Sequence, residues 1–217
     1  MSDLWIIGAG GHAKVVIETA RAMKTFEPVG VIDDYDARWN STVLGVPVFG
    51  PVTPERLREL GVARAVVAIG ANRARAELAR RLDGLVAWVT LVHPSAIVAP
   101  SVRLGEGTVV FAGAIVQPDT VVGRHVILNT GSSVDHDGVV GDFAHIAPGA
   151  RLAGGVRIGE GVLVGIGSCV IPGRAVGDWA TVGAGAAVVT DIPPGVVAKG
   201  VPARSAAASG DARERRR

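Results

Sequence analysis

Cysteine and aromatic residues are scarce in this chain of 217 residues. Cys169 is the one cysteine, which excludes an intrachain disulfide framework and a cysteine-rich metal site. Aromatic side chains make up 4% of the residues, whereas 30 glycines accompany a hydrophobic content of 48%. A core of Val, Ile, Leu and Ala interrupted by many tight turns is typical of stacked β-structure, which we therefore expect.

The sequence also lacks a strong charge imbalance and a long apolar run. Its formal net charge is +2, and part of it comes from the "RERRR" ending, which we interpret as a solvated tail. This balance predicts no nucleic-acid-binding surface. No stretch approaches the apolar run of about 20 residues that spans a membrane, and "MSDLWIIGAGG" lacks the features of a signal peptide. We therefore expect a cytoplasmic protein without a membrane span.

Residues 1–90 alternate short apolar runs with helical patterns. This rhythm predicts a small, Rossmann-like α/β domain with a parallel sheet. The apolar runs are "LWIIG", "PVGVID", "RAVVAIG" and "LVAWVTLV", and the helical stretches are 12–23, "TPERLRELG" and "NRARAELARRL".

The first turn of this domain, "GAGGHA", gives Gly8, Gly10 and Ala13 the spacing of a phosphate-binding loop between a strand and a helix. Asp33 and Asp34 follow the second strand, at the sheet edge where such folds bind ligands. The pattern stops after roughly four strands, which favours a single nucleotide or a nucleotide sugar over NAD. The alternative is that the glycines only form a tight strand-to-helix turn.

Residues 91–198 follow a period of six instead. Every sixth residue is Val, Leu or Ile over seventeen units, and a small residue usually stands four places later. Neither a helix nor an ordinary strand has this period, so we predict a parallel β-helix in which each hexad forms one flat side. The repeated aliphatic residues are Val92, Val98, Leu104, Val110, Val116, Val122, Leu128, Val134, Val140, Ile146, Leu152, Ile158, Val164, Val170, Val176, Val182 and Val188.

The segment "SSVDHDGVVGDFAH" concentrates histidines and aspartates in the middle of the repeats. His136 and His145 lie nine residues apart, half of an 18-residue coil of three hexads, and therefore face different parts of the circumference. A shared metal within one chain is accordingly a minor alternative. His136 and Asp137 should point outward, with open space above them at Gly154 and Gly155, one coil further along.

The hexads resemble those of the hexapeptide-repeat acyltransferases, whose β-helix is left-handed and whose chains form trimers. "KGVPAR" at residues 199–204 resembles the segment that follows this β-helix. "GAGGHAKVVIE", "AIGANR" and "HPSAIVAPSV" resemble a subgroup with a small N-terminal α/β domain. This subgroup comprises bacterial N-acetyltransferases of nucleotide-linked amino-deoxysugars and sialic-acid O-acetyltransferases.

The resemblance implies roles for residues at matching positions. "VDHDG" matches the motif of the catalytic histidine and the acidic residue after it, here His136 and Asp137. A histidine suits this chemistry because it can accept the proton that the attacking amine loses. His145 in "DFAHIAPG" matches a residue that contacts acetyl-CoA. Further acetyl-CoA contacts are expected near the backbone of Ile166 and Ala184 and, for the phosphates, at Lys199 and Arg204.

In the first domain, the resemblance implies a sugar nucleotide bound by Gly10, Gly11, His12, Asp33, Asp34 and Gly70. We assign a structural role to Cys169, because no histidine or basic residue stands beside it in the sequence. His93, where the two domains join, and His125, on a different side of the coil from His136, are also assigned structural roles. Asp135 and Asp142 are interpreted as solvated turn residues.

Together these patterns predict a nucleotide-sugar domain at 1–90, a β-helix acetyltransferase domain at 91–198 and a C-terminal segment with a basic tail at 199–217. We expect a homotrimer with sites between subunits, using acetyl-CoA as co-substrate and no metal. The predicted reaction acetylates the amine of a nucleotide-linked 4-amino-4,6-dideoxysugar in surface-glycan synthesis. O-acetylation of a sialic acid and a non-catalytic nucleotide-binding scaffold are the alternatives, and the sequence leaves the nucleotide open.

Overall fold

A computed structural model describes residues 1–206 and shows an α/β domain followed by a left-handed parallel β-helix, as the sequence predicts. The "RERRR" tail lies outside the described residues. Within them, no helix combines the length and the apolar character that a membrane span requires.

The N-terminal domain is built on a six-stranded sheet with the strand order β3-β4-β2-β1-β5-β6. The strands are β1 (Ser2–Ile7), β2 (Phe26–Ile32), β3 (Thr42–Val43), β4 (Val46–Phe49), β5 (Arg64–Val67) and β6 (Ala87–Trp88). The helices are α1 (Gly11–Met23), α2 (Pro54–Glu59) and α3 (Asn72–Arg81), with a short 3-10 turn at Asp36–Arg38. The β1, β2, β4, β5 and β6 pairings are parallel, as predicted, and β3 adds an antiparallel hairpin with β4 at one edge.

Local sequence accounts for the helix boundaries. Thr53 caps α2, its hydroxyl oxygen accepting a hydrogen bond from the backbone N–H of Arg56, and Pro54 occupies the first helical position. Lys24 ends α1 in the left-handed conformation, with its backbone N–H bonded to the carbonyl of Arg21. "LVAWVTLV" divides between β6 and the first strand of the β-helix, so one apolar run serves two sheets.

The β-helix consists of two-residue strands that stack into three sheets, with longer pairing at its C-terminal end. The first sheet contains β7 (Leu91–Val92), β10 (Val109–Val110), β13 (Ile127–Leu128), β16 (His145–Ile146), β19 (Leu163–Val164), β22 (Thr181–Val182), β24 (Val197–Lys199) and β25 (Arg204–Ala206). The second contains β8 (Ile97–Val98), β11 (Ile115–Val116), β14 (Ser133–Val134), β17 (Arg151–Leu152), β20 (Cys169–Val170) and β23 (Ala187–Val188). The third contains β9 (Arg103–Leu104), β12 (Val121–Val122), β15 (Val139–Val140), β18 (Arg157–Ile158) and β21 (Ala175–Val176).

The hexad pattern corresponds to the register of these sheets. Val110 pairs with Leu128, and Leu128 with Ile146, so equivalent positions repeat every 18 residues. From Val110 to Val188 the repeated aliphatic side chains are at most 2% exposed and form the continuous core. Small polar residues also enter this core where a hydroxyl satisfies a backbone carbonyl: Thr108 donates to Gly123, and Thr120 donates to Asp135.

The end of the β-helix runs past the domain limit expected from the sequence. β24 continues the first sheet through Lys199, and β25 returns antiparallel beside it. The predicted boundary after residue 198 therefore falls inside a strand.

The N-terminal domain packs on the first sheet and on the turns leading into it. The outward side chains of Leu91, Val109 and Ile127 join the core around α1 and β1. Phe143, in the turn before β16, joins the core around α3. One side of the triangular β-helix thus carries the whole N-terminal domain.

Candidate functional site

The glycine turn after β1 is tied to the end of β2. Gly8 has φ +109°, and a Cβ there would come within 2.9 Å of Ile69, so this position requires glycine. The N–H of Ala9 donates to the Asp33 carboxylate at 2.6 Å. Gly10 and Gly11 have open space where a side chain would stand, and α1 begins at Gly11. The start of α1 therefore presents backbone N–H groups at an accessible surface.

A cleft of about 260 Å³ opens beside this turn, along the carboxyl ends of the strands. Its lining brings together Asp33 and Asp34, as the sequence predicts. It also includes residues that the prediction missed, namely Val52 and several members of α3. Gly70 lines a neighbouring cavity of about 460 Å³ at the start of α3.

His12 and His145 come together where the first domain meets the β-helix. Their ring centroids are 6.5 Å apart, and His12 also meets Phe111 edge-on at 5.3 Å. Burial, and then the charge of Arg75, lowers the pKa of His12 to about 4. The pKa of His145 also falls to about 4, because burial and the charges of Arg75 and His12 outweigh a backbone hydrogen bond with Gly70. Both rings are therefore neutral at pH 7.

The Nε2 atom of His145 lies 2.9 Å from Nδ2 of Asn129. The amide donates to this nitrogen, which places the ring proton on Nδ1. A ring with a low pKa and an occupied acceptor nitrogen is a poor proton acceptor. The resemblance assigned His145 to acetyl-CoA, whereas the structure sets it beside His12 and Gly70, which were assigned to the sugar nucleotide.

Arg75 holds this junction together, and sequence reasoning did not identify it. It lies on the buried face of α3 and is 1% exposed, with a pKa lowered by burial to about 9. Its donors reach both domains: Ile69 O at 2.9 Å, Gly70 O at 3.2 Å, Asn72 Oδ1 at 2.9 Å, His125 O at 2.9 Å, Phe143 O at 2.7 Å and Ala144 O at 3.3 Å. Its spacing of three, four and seven residues from Leu78, Ala79 and Leu82 was an available signal for burial.

His136 and Asp137 form a different environment, in the turn between β14 and β15. The Nδ1 atom of His136 lies 2.8 Å from the Asp137 carboxylate, and both side chains are more than 60% exposed. The hydrogen bond with Asp137 raises the pKa of His136, and the charges of Asp135 and Asp137 add to this rise, against an opposing effect of desolvation. Asp135 accepts a hydrogen bond from the backbone N–H of His136 at 2.8 Å.

The expected open space above His136 is filled by its own ring. A Cβ at Gly154 would come within 2.7 Å of Cε1 and Nε2 of His136, so the glycine one coil later makes room for the imidazole. The prediction was wrong because it assigned the space at Gly154 to a ligand, whereas the imidazole ring of His136 occupies it. The glycine therefore helps to fix the ring's orientation.

His136 does not face the nucleotide cleft of its own chain. It occupies the corner between the second and third sheets, whereas the N-terminal domain covers the first sheet and the turn before it. His145 belongs to the first sheet, so the two histidines lie on different parts of the circumference, as predicted.

The residues expected at acetyl-CoA follow one edge of the first sheet. Ile166 is 61% exposed and Ala184 is also exposed, in consecutive turns joined by a hydrogen bond from Gly185 N to Ile166 O. Lys199 on β24 pairs directly with Arg204 on β25, and both are exposed. From His145 to Lys199 the first sheet rises by three strand steps, about 14 Å.

The other histidines and acids occupy varied surroundings. His125 is buried and stacks on Phe143 at 5.4 Å, whereas Nδ1 of His93 lies 2.8 Å from the Ser95 hydroxyl. Asp142 is not simply solvated, because its carboxylate accepts from the N–H of Arg124 in the coil below. Cys169 is exposed on the outer face of β20 rather than packed inside. Across residues 1–206, no three His, Cys, Asp or Glu side chains converge as metal ligands.

Comparison with known proteins identifies relatives of both domains. Residues 3–82 match the family model described as the PglD N-terminal domain. UDP-N-acetylbacillosamine N-acetyltransferase of Bacillus subtilis (strain 168) is 41% identical over 114 residues, a match that covers 51% of each chain. The match thus spans about half the length of this curated relative.

Solved structures match along almost the entire chain. PerB of Caulobacter crescentus, determined in complex with CoA and GDP-perosamine, is 45% identical with a TM-score of 0.88, and the match covers 95% of this chain and 98% of PerB. The acetyltransferase domain of PglB from Neisseria gonorrhoeae FA1090, in complex with acetyl coenzyme A, is 42% identical with a TM-score of 0.88, covering 94% of this chain and 98% of that domain.

Proposed function

Because this chain belongs to the family of sugar N-acetyltransferases with a PglD-type N-terminal domain, we propose that it acetylates a nucleotide-linked amino sugar. The acetyl donor is acetyl-CoA, and the acceptor is the amine of a 4-amino-4,6-dideoxysugar destined for surface glycans. We place the reaction in the cytoplasm. The observation that carries the proposal is the exposed His136–Asp137 pair, with its 2.8 Å contact.

The pair has the properties of a general base and its orienting acid. Asp137 accepts from Nδ1 of His136, which leaves the lone pair of Nε2 for a substrate proton. The pKa of His136 is raised, whereas the pKa of His145 is lowered to about 4, so His136 is the better proton acceptor of the two. Accepting a proton in this way contributes about 100-fold to 10,000-fold in rate.

In the proposed reaction, the amine nitrogen attacks the thioester carbonyl carbon and a tetrahedral intermediate forms. Nε2 of His136 accepts a proton from this nitrogen. The carbon–sulfur bond then breaks with its electron pair on sulfur, and the CoA thiolate takes the proton from the imidazolium. The products are the N-acetylated sugar nucleotide and CoA, and His136 returns to its neutral form without an acyl-enzyme.

The separation of His136 from the cleft of its own chain supports a shared site. The cleft and the start of α1 would bind the sugar nucleotide, while the edge from His145 to Lys199 would hold acetyl-CoA. His136 of a neighbouring copy would then complete the site, which we propose is formed in a homotrimer. Light scattering tests this assembly, and a stable monomer that retains full turnover would contradict it.

The test of the function is a thiol-release assay with acetyl-CoA and a panel of UDP-, GDP- and dTDP-linked amino sugars. We expect CoA release with at least one 4-amino sugar and none with the corresponding 4-hydroxy sugar. His136→Ala should lower kcat about 100-fold or more while leaving acetyl-CoA binding nearly unchanged. His93→Ala serves as the matched control and should retain turnover, because His93 contacts Ser95 instead.

Two outcomes would contradict the proposed function. If His136→Ala retains turnover, His136 is not the base. If no amino sugar releases CoA while nucleotides still bind, the chain is a binding module rather than an enzyme.

A further inference from the structure

We propose that the nucleotide cleft selects guanine, and that Glu77 and Arg81 of α3 read the base. This inference rests on the proposed function and specifies its substrate as a GDP-linked amino sugar. The fold itself leaves the base open, because the relatives' names include both a guanosine and a uridine nucleotide.

The lining of the cleft suits a flat heterocycle with polar edges. Apolar side chains provide its walls, and charged side chains stand among them as possible edge contacts. The apolar members are Ile7, Val52, Ile69, Ala74 and Leu78, and the charged members are Asp33, Asp34, Glu77 and Arg81. A base with apolar faces and polar edges matches this distribution.

Two of the three carboxylates in the cleft are already engaged. Asp33 accepts from the N–H groups of Ala9 and Tyr35 and pairs with Arg38. Asp34 accepts from the N–H of Val52 at 2.7 Å and pairs with Arg81 at 3.4 Å.

Glu77 is the carboxylate left for a ligand. Within residues 1–206 it has no hydrogen-bond or ion-pair partner, although it lines the cleft. An unengaged carboxylate at a ligand cleft is an acceptor of N–H groups.

Arg81 stands one helical turn after Glu77 on the same face of α3. One of its terminal nitrogens, Nη2, donates to Val52 O at 3.1 Å and approaches Asp34. Its Nε and Nη1 donors remain available. The helix therefore presents an acceptor group and a donor group side by side at the cleft.

This pair complements guanine better than the other common bases. Guanine carries the N1–H and N2–H₂ donors together, with the O6 acceptor next to N1–H, so a carboxylate and a guanidinium can bind adjacent parts of one edge. Uracil and thymine offer one N–H between two carbonyl oxygens. Adenine has an unprotonated N1, which would face the carboxylate with a lone pair.

The test is calorimetric titration of the full-length protein with GDP, inosine diphosphate, UDP and dTDP. GDP should bind about tenfold or more tightly than UDP or dTDP, since it adds a charge-assisted hydrogen bond to the carboxylate. Inosine diphosphate differs from GDP by the 2-amino group alone and should also bind more weakly. Glu77→Gln should weaken GDP binding about tenfold or more and reduce the difference between GDP and inosine diphosphate.

Glu55→Gln is the matched control, because Glu55 is an exposed carboxylate on α2, outside the cleft, and should leave the order of affinities unchanged. Tighter binding of UDP or dTDP than of GDP would overturn the guanine assignment, and turnover of that nucleotide's amino sugar would leave the proposed function standing. Absence of both nucleotide binding and thiol release would overturn both proposals. The comparison of GDP with inosine diphosphate uses the unaltered protein, so the inference can be tested even if Glu77→Gln does not fold.

Discussion

Individual residues in this chain acquire their chemistry from their surroundings, and the histidines show it most clearly. His145 is enclosed between the two domains, with Arg75 and His12 nearby, and its pKa falls to about 4. His136 stands in solvent against a carboxylate, and its pKa rises. One histidine is thus kept as a neutral hydrogen-bonding group, while the other is the better proton acceptor.

The role of Asp137 can be tested through pH dependence. A base must be neutral to accept a proton, so kcat/KM should fall as pH drops through the raised pKa of His136. Asp137→Asn removes the negative charge that stabilises the imidazolium. The acidic limb of the pH profile should therefore move to lower pH, and the plateau rate should fall because the base is weaker. A limb that stays in place would contradict the pairing.

At the scale of elements, the repeating parts of the fold could be predicted from the sequence, whereas parts that follow no repeat were missed. The hexads fixed the inward residues of the β-helix, because the same aliphatic position recurs in every coil. The β3–β4 hairpin was missed because its strands have only two and four residues and follow no repeat. The helical spacing of Arg75 indicates a buried position, but its role was missed because its partners include backbone carbonyls 50 to 69 residues away, which no local pattern specifies.

The network around Arg75 predicts a large loss of stability on substitution. Arg75→Met removes the donors that satisfy carbonyls in both domains, and each buried carbonyl left unpaired is costly. We expect the free energy of unfolding to fall by about 3 kcal/mol or more. The exposed Arg58 is the control, and Arg58→Met should change stability by less than about 1 kcal/mol. Urea denaturation measures both, and equal effects would rule out a special role for Arg75.

A substitution at the start of α1 should change nucleotide binding rather than stability. Its first turn contains no acidic residue, and Gly11 is exposed with space for a side chain. Gly11→Asp places a negative charge where the diphosphate of the substrate is proposed to bind, although an acidic residue normally favours a helix N-terminus. Nucleoside diphosphate affinity should fall about tenfold or more, while the melting temperature is maintained. The neutral variant Gly11→Asn should bind more tightly than Gly11→Asp, and equal binding by the two would place the phosphates elsewhere.

At the scale of the whole molecule, different sides of the β-helix carry different parts of the proposed site. The first sheet carries the nucleotide-binding domain, and the opposite corner, between the second and third sheets, carries His136. The strands pair throughout in a register of 18 residues, so neither group can reach the other by a local movement. The distance between them is built into the fold.

This division means that two impaired versions of the protein should repair each other when turnover is measured at a sugar-nucleotide concentration well below KM. A chain with His136→Ala keeps an intact cleft, and a chain with Gly11→Asp keeps an intact base. When the two are unfolded and refolded together, random mixing gives about a quarter of all sites one good cleft facing one good base, so about a quarter of normal activity should return. Two preparations refolded separately and then combined provide the control. Activity no higher in the mixed assemblies than in the parents would show that each chain works alone.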